Sequence, residues 1–444
     1  MISVLANQTY RHLFFAQVIA LFGTGLMTVG LALLAFDLAG DEAGAVLGTA
    51  LAIKMIVYVG ISPIAAAYAS RFPRRMFLVT LDIVRALTAV ALPFVDEIWQ
   101  IYVLIALLQT ASAAFTPAFQ ASIPDILPDE KDYTSALSLS RMAYDLENLL
   151  SPMIAAVLVG LVGFHWLFGG TVAGFLFSAG LILTIRLVSP QADAEEPAFR
   201  RTVKGLQIYL KTPRLRGLLA LNLAVAASGA MVIVNGVVIV KSYLGLDDTD
   251  LALSMAAYGG GSMVVALTLP KLLASRSERF VMLAGGALLP VSLLIFAGLL
   301  TVLPEPFVWP ALLLVWFTMG AGMSAVLVPS GRLLKNSAHP QDRPLVFAAQ
   351  FALSHGCWLI AYPLAGWLGA NSSMSVTMVV LAGLAVLGWA VAGKSWPADD
   401  HSILDHAHPD LPANHPHLAK AHGKRHAHAF VIDSLHHTWP DRQP

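Results

Sequence analysis

Twelve runs of mostly apolar residues, each long enough to cross a bilayer, leave this chain few alternatives. A spanning helix needs about 20 such residues. Runs of that kind occupy 12–38, 45–69, 76–95, 98–120, 135–162, 166–188, 214–243, 250–273, 280–303, 307–334, 344–369 and 374–396. Hydrocarbon offers no partner to an unsatisfied backbone N–H or C=O, so the runs are expected to be α-helices. Composition agrees: 57% of residues are hydrophobic and 12% charged, against about 25% charged in soluble domains. The expected fold is an all-α membrane protein. No Walker A motif, Gly-rich nucleotide fingerprint or hydrolytic triad is evident, so no enzyme activity and no resident cofactor are expected.

The placement of Lys and Arg sets the expected orientation. With the N-terminus inside, the inner connections hold Arg71, Arg74, Arg75, Lys131, Arg200, Arg201, Lys204, Lys211, Arg214, Arg276, Arg279, Lys335 and Arg343. The outer ones are acidic, with Asp41, Glu42, Asp96, Glu97, Asp247, Asp248, Asp250 and Glu305. Both termini are therefore expected in the cytoplasm, with the chain in the inner membrane. The basic loops are topogenic, and nucleic acid is not an expected partner. Residues 1–15 lack a basic n-region and a small-residue cleavage site, so no removable signal peptide is read. One cysteine, Cys357, excludes an internal disulfide.

The longest polar connection, about residues 190–213, divides the helices six and six. The two halves echo each other. Ala69-Ser70-Arg71-Phe72-Pro73-Arg74 corresponds to Ala274-Ser275-Arg276-Ser277-Glu278-Arg279, and Pro117 and Pro128 recur as Pro329 and Pro340, both 212 residues later. The expected organisation is a six-helix bundle over 1–189, a linker over 190–213, a second bundle over 214–396 and a tail over 397–444.

Ionisable residues inside the membrane cost about 2.5–3.5 kcal/mol each on insertion scales and so face the bundle interior and find partners. Arg141 and Asp145 lie four apart and can pair on one helix face; the pair could lock packing or take part in transport. Glu147, about 200° around the helix from Asp145, lacks a partner in its own helix and is the better proton or cation carrier. Lys54 has no local acid and needs Glu147 or Asp145. Asp82 and Arg85, three apart, are expected to form a structural pair. His355 and Cys357 are candidate ligands for a borderline divalent metal, although a lone helix histidine is more often a packing residue.

After Trp396 the composition changes. Ten of the fourteen histidines lie in the last 48 residues: His401, His406, His408, His415, His417, His422, His426, His428, His436 and His437. Three His-x-His pairs occur, and in an extended chain both rings of such a pair fall on one side. The tail is expected to be disordered without ligand and to bind divalent metal through imidazole, with Asp405, Asp410 and Asp433 as possible oxygen donors. Protonation below about pH 6.5 is expected to release the metal. A solubilising tail is the bland alternative. The irregular spacing argues against a purification tag.

Two parallel six-helix halves resemble the major facilitator superfamily, whose substrate site lies between the halves. Residues 66–75 resemble its loop motif Gly-x-x-x-Asp-Arg-x-Gly-Arg-Arg, keeping Arg71, Arg74 and Arg75 but not the acid, which is Ser70 here. The resemblance implies a gating role for these arginines and for Arg276 and Arg279. Glu147 to Ala156 is similar to the superfamily's antiporter motif, with Pro152 kept and the glycines replaced, which favours efflux. Asn222 and Asn235 fall on a helix that lines the cavity in that superfamily; they could bind a hydrated ion or bridge helices. With its tail the chain resembles the nickel-resistance exporters of the NreB-like group. That implies proton-driven export of nickel, possibly cobalt, by a monomer. The competing expectations are an exporter of organic drugs or siderophores with a metal-sensing tail, and a membrane metal sensor that transports nothing.

Overall fold

A computed structural model describes all residues except Met1, 40–42, 70, 189–196, 399–402, 409–411, 413–416, 418–424, 434 and 441–444. Thirteen α-helices are present among the described residues: α1 (Gln8–Ala39), α2 (Ala43–Ala69), α3 (Arg74–Ala91), α4 (Ile98–Ile126), α5 (Glu130–Val162), α6 (His165–Leu183), α7 (Ala198–Lys211), α8 (Pro213–Val237), α9 (Asp248–Leu273), α10 (Glu278–Val302), α11 (Glu305–Asn336), α12 (Arg343–Asn371) and α13 (Met374–Ser395). Eleven are long and apolar enough to cross a membrane. α5, which carries Arg141, Asp145 and Glu147, is not among those eleven. At 33 residues it is nonetheless about 50 Å long, and it completes the six-and-six pattern.

α7 is the exception to the spanning pattern. It lies within the linker and packs on α12 and α2. Ile208 and Tyr209 are buried beneath it, while Phe199 and Leu210 are exposed. Its amphipathic sequence explains why it lies along the bundle instead of crossing it.

The repeat legible in the prolines reappears as packing. α1 lies on α6 as α8 lies on α13; α2 lies on α4 as α9 lies on α11; α3 lies on α6 as α10 lies on α13. The halves meet where α5 packs on α9 and α11, and where α12 packs on α2 and α4. Hydrophobic burial gives little drive for association within lipid, so close backbone approach carries more of the packing. At the α9–α11 crossing, a Cβ on Gly261 would sit 1.8 Å from the Phe317 carbonyl oxygen, and one on Gly320 would sit 1.8 Å from that of Tyr258. Only glycine fits at either position. Gly163 ends α5 with φ at 84°, a left-handed conformation that lets the chain turn back at once into α6.

Polar caps start several helices. Asp129 accepts from the Lys131 and Asp132 N–H groups at α5, and Asp247 accepts from Thr249 and Asp250 at α9. The large apolar side chains left exposed, such as Leu87, Phe94, Phe177 and Leu314, lie on the outside of the helices, as a lipid-facing surface requires.

Within a tail expected to be disordered, two stretches pair as antiparallel strands, β1 (Ile403–Ala407) and β2 (Arg425–Ala429). Phe430 and Ile432, immediately after β2, are buried in the apolar core of the second half. The Trp439 ring lies 5.5 Å from the Arg214 guanidinium at the start of α8.

Candidate functional site

Three groups of polar side chains stand out: one inside the bundle, one at the basic end, and one in the tail.

Inside the bundle, α5 supplies the charges. Arg141 donates from Nη2 to Asp145 Oδ1 at 2.8 Å, forming the ion pair that the four-residue spacing allows. Its Nε also donates to Ser262 Oγ of α9, again at 2.8 Å. The pair therefore ties the first half to the second. Glu147 turns away from Asp145 and packs, with Ser151, against the α1 backbone. A Cβ on Gly25 would sit 2.5 Å from Glu147 Oε1 and 2.2 Å from Ser151 Oγ, so the carboxylate has room only because residue 25 is glycine.

Lys54 of α2 and Glu147 of α5 carry opposite charges and lie close enough to influence one another. The Lys54 ammonium also stands 5.6 Å from the centre of the Tyr58 ring. Tyr58 OH donates to Gln109 Oε1 of α4 at 2.8 Å. The edge-to-face contact of Tyr58 with His355, 4.8 Å between ring centres, crosses to α12 in the other half. His355 Nδ1 is 2.7 Å from the Phe351 carbonyl oxygen, which can only accept. Nδ1 therefore carries the proton, and Nε2 keeps a free lone pair.

The other proposed cavity positions lie apart from this group. Cys357 is buried in the core of the second half, near Tyr209. Asn222 Nδ2 donates to the Leu218 carbonyl of its own helix at 2.8 Å. Asn235 Nδ2 donates to the Ala365 carbonyl at 3.1 Å, bridging α8 to α12. Asp82 and Arg85 form their pair inside the first half, with Ser178 Oγ donating to Asp82 at 2.7 Å.

At the basic end the halves are joined by ion pairs. Asp125 at the end of α4 accepts from Arg74 at 2.6 Å and from Arg343 of α12 at 3.0 Å. Arg332 of α11 contacts Glu130 of α5 at 2.7 Å and Glu278 of α10 at 2.8 Å. Lys204 of α7 contacts Asp342 at 2.7 Å. These contacts close this end of the interface. Of the five arginines singled out in the two repeated loops, Arg74 joins this network. Arg71 lies over Tyr68 and Arg276 over Phe280, and Arg75 is half-buried in the first turn of α3. Arg279 donates to the Trp396 carbonyl at 2.9 Å and so holds α10 to the end of α13. The acids that receive the arginines, Asp125, Glu130 and Glu278, were not singled out from sequence. Their position at helix ends opposite basic residues was the available signal.

In the tail, alternation along the strands puts His426 and His428 on one face of β2, with His406 paired opposite His426. Six histidines converge in two overlapping sets of four. One is His406, His408, His417 and His426; the other is His406, His417, His428 and His436. Within each set the ligand nitrogens lie within 4.8 Å of one another. His417 Nε2 is 3.1 Å from His408 Nε2, 3.1 Å from His426 Nε2 and 3.3 Å from His428 Nε2. A ring nitrogen can donate one proton or accept one, so hydrogen bonds cannot account for three such neighbours at once. A central cation can. Metal–nitrogen bonds of about 2.0–2.1 Å place adjacent ligand nitrogens about 2.9–3.4 Å apart in octahedral or tetrahedral geometry.

Burial, and then the neighbouring imidazoles, push the ring of His417 down to about 4 and lower those of His406, His408 and His426. These rings are therefore neutral near pH 7, as metal ligation requires. Asp433 has another place than the expected oxygen ligand. It accepts from His436 Nδ1 at 2.8 Å and from His339 Nε2 at 3.1 Å. His437 is exposed beside the cluster, and His401, His415, His422 and Asp410 lie outside the described residues.

A two-bundle helical protein with charged residues at the seam between its halves is a membrane transporter in architecture. The chain matches the Major Facilitator Superfamily over residues 13–303 and 218–407 and belongs to that family. The uncharacterized MFS-type transporter YvqJ of Bacillus subtilis (strain 168) is 22% identical over 418 residues, covering 88% of this chain and 95% of that protein. A second from the same organism, YfiS, is 25% identical over 215 residues, covering 46% of this chain and half the length of that relative. Among solved structures, the human organic anion transporter MFSD10 (TETRAN) aligns with a TM-score of 0.72 at 13% identity, over 87% of this chain and 99% of that one. A bacterial homologue of the iron transporter ferroportin, in an outward-facing state, aligns with a TM-score of 0.68 at 15% identity, with the same coverages.

Proposed function

We propose that this chain is a secondary transporter of the inner membrane that exports a divalent metal cation, nickel and also cobalt, in exchange for protons, and so confers metal resistance. The observation that carries the reading is the convergence of six tail imidazoles in two overlapping groups of four, the ligand nitrogens of each group within 4.8 Å of one another. The fold neighbours include an iron-transporter homologue and an organic-anion transporter, so the fold admits both classes of cargo. The tail is what argues for metal here.

In this reading the basic end faces the cytoplasm, as the positive-inside rule favours, and the tail gathers metal there. Glu147 offers a carboxylate, and the Nε2 of His355 a neutral nitrogen, at the seam between the halves. Lys54 balances Glu147 while no cation is bound. Protonation of Glu147 from the outer side removes the negative charge that holds the cation, which is released. Exchange follows because the two protonation states differ in metal affinity and the halves rock about the site. The Arg141–Ser262 hydrogen bond, which crosses the halves, parts and reforms as they move.

A second reading is export of an organic molecule or metal chelate under the control of a metal-sensing tail. It is favoured by the placement of Cys357, Asn222 and Asn235 away from His355 and Glu147, which leaves few metal ligands inside the bundle. Inverted vesicles with an imposed proton gradient separate the two. Uptake of free Ni²⁺ that is lost in an Asp145→Asn, Glu147→Gln double variant supports the first reading. Uptake of nickel chelates alone selects the second, and full nickel uptake by the double variant overturns the assigned site.

A further inference from the structure

The tail's cation site is fastened to the body of the transporter. His436 donates from Nδ1 to Asp433 Oδ1 at 2.8 Å, which leaves its Nε2 free to point at His406 Nε2, 3.0 Å away. His406 is fixed in the same way, with its Nδ1 3.0 Å from the Leu404 carbonyl oxygen. A hydrogen bond on one ring nitrogen sets the tautomer and aims the other at the metal. The set His406, His417, His428 and His436 contains both of these oriented rings. The set with His408 and His426 shares only one of them, and the Nδ1 of His426 is buried without a partner.

The same Asp433 carboxylate reaches out of the tail. Its second oxygen accepts from Nε2 of His339, at 3.1 Å. His339 belongs to the short connection between α11 and α12, three residues before Asp342, which pairs with Lys204, and four before Arg343, which pairs with Asp125. Around this link the tail is anchored by apolar contacts. Phe430 and Ile432 are buried in the core of the second half, and the Trp439 ring packs on Phe430 and beneath Arg214. Burial of Asp433 would by itself raise its carboxyl. The hydrogen bonds from His339, from the His436 ring, and from the Leu435 and His436 N–H groups instead hold it well below the usual range. It is thus an anion tied on both sides.

We infer that a borderline divalent cation held by His406, His417, His428 and His436 occupies a site completed by the transporter body, with His339 positioning Asp433 and Asp433 positioning His436. This rests on the metal reading of the tail and adds what that reading lacks: the tail binds metal as part of the folded transporter, docked on the α11–α12 connection. Reciprocity follows. If docking strengthens cation binding, cation binding strengthens docking by the same factor, at a connection that carries two of the ion pairs closing the basic end.

The test is equilibrium binding of Ni²⁺ alone to the full-length chain. Loss of an outer-shell partner typically weakens metal binding by about 10- to 100-fold. Asp433→Asn is expected to fall in that range and His339→Ala near its lower end, with the number of ions bound unchanged. His339→Gln keeps an N–H donor for Asp433 and is expected to restore most of the affinity, which a merely disrupted loop would not allow. His428→Ala is expected to weaken binding more than His408→Ala. Wild-type affinity in His339→Ala overturns the docked site while leaving a metal-binding tail intact. Equal nickel binding by the wild type and a His406→Ala, His417→Ala double variant overturns the metal reading beneath it, and the inference with it.

Discussion

The seam between the halves and the tail cluster solve opposite electrostatic problems. At the seam, charged groups are buried with their counter-charges: Arg141 with Asp145, and Lys54 with Glu147. Arg141 also reaches across the halves to Ser262 of α9. In the tail, His417 meets His408 and His426 with ring nitrogens 3.1 Å apart, all three rings neutral near pH 7. One arrangement is poised to exchange partners and the other to hold one. A transporter needs both, because a cargo site that bound as tightly as a four-imidazole shell would release slowly.

The comparison breaks first at Glu147. Glu147→Gln keeps the shape and removes the charge, and proton-driven Ni²⁺ uptake into inverted vesicles is expected to fall by about 100-fold or more. That would be equivalent to losing about 2.7 kcal/mol, while nickel binding by the tail is unchanged. The converse variant is His417→Ala, which takes one of the two rings shared by both histidine sets. Nickel binding by the tail is expected to fall at least as far as the 10- to 100-fold of an outer-shell change. In the proposed reading, where the tail collects cargo without carrying it, uptake at saturating nickel should persist. Loss of uptake at all concentrations would place the tail within the transport step itself.

Gly25→Ala sharpens the membrane side. The added methyl would meet Ser151 and Glu147 at 2.2–2.5 Å, and overpacking of that kind costs about 1–3 kcal/mol. A lower thermal midpoint and slower uptake are expected, with tail binding intact. The tail side is sharpened by pH. The rings of His406, His408, His417 and His426 are held below the ordinary 6.5, that of His417 at about 4. The separated rings therefore take up protons before the converged ones do. The cluster is fully favoured above about pH 6.5, and that advantage is lost progressively as pH falls toward 4. Intrinsic fluorescence of Trp439, packed on Phe430 beside the cluster, should follow this window in the metal-free chain. Bound nickel should shift the change to lower pH. The smallest effect expected is that of Ser262→Ala. It removes one interhelical hydrogen bond to Arg141, a change that averages about 0.6 kcal/mol in a membrane bundle.

Much of the candidate site was legible because membrane insertion makes ionisable residues conspicuous. Arg141, Asp145, Glu147 and Lys54 could be named from sequence, since each stands out against apolar neighbours. The four-residue spacing of Arg141 and Asp145 was enough to expect their pairing. Gly25, Tyr58, Gln109 and Ser262 were not legible. A glycine or a hydroxyl in a membrane helix is ordinary, and only the neighbouring helix makes it part of a site. His339 and Asp433 were harder still. They lie 94 residues apart, one in a loop and one in a tail, with no pattern to join them.

By itself, the sequence determined that the chain is helical and membrane-spanning, that it is built from two related halves, and that imidazole accumulates after the last span. Those properties follow from local composition and period, which the bilayer and the backbone read residue by residue. The tertiary structure alone decided which charges meet across the halves, which acids close the basic end, and which tail histidines converge beside Asp433. These depend on distances between segments far apart in the chain, set by close helix crossings such as Gly261 with Phe317. A linear pattern does not encode such crossings until the helices have packed.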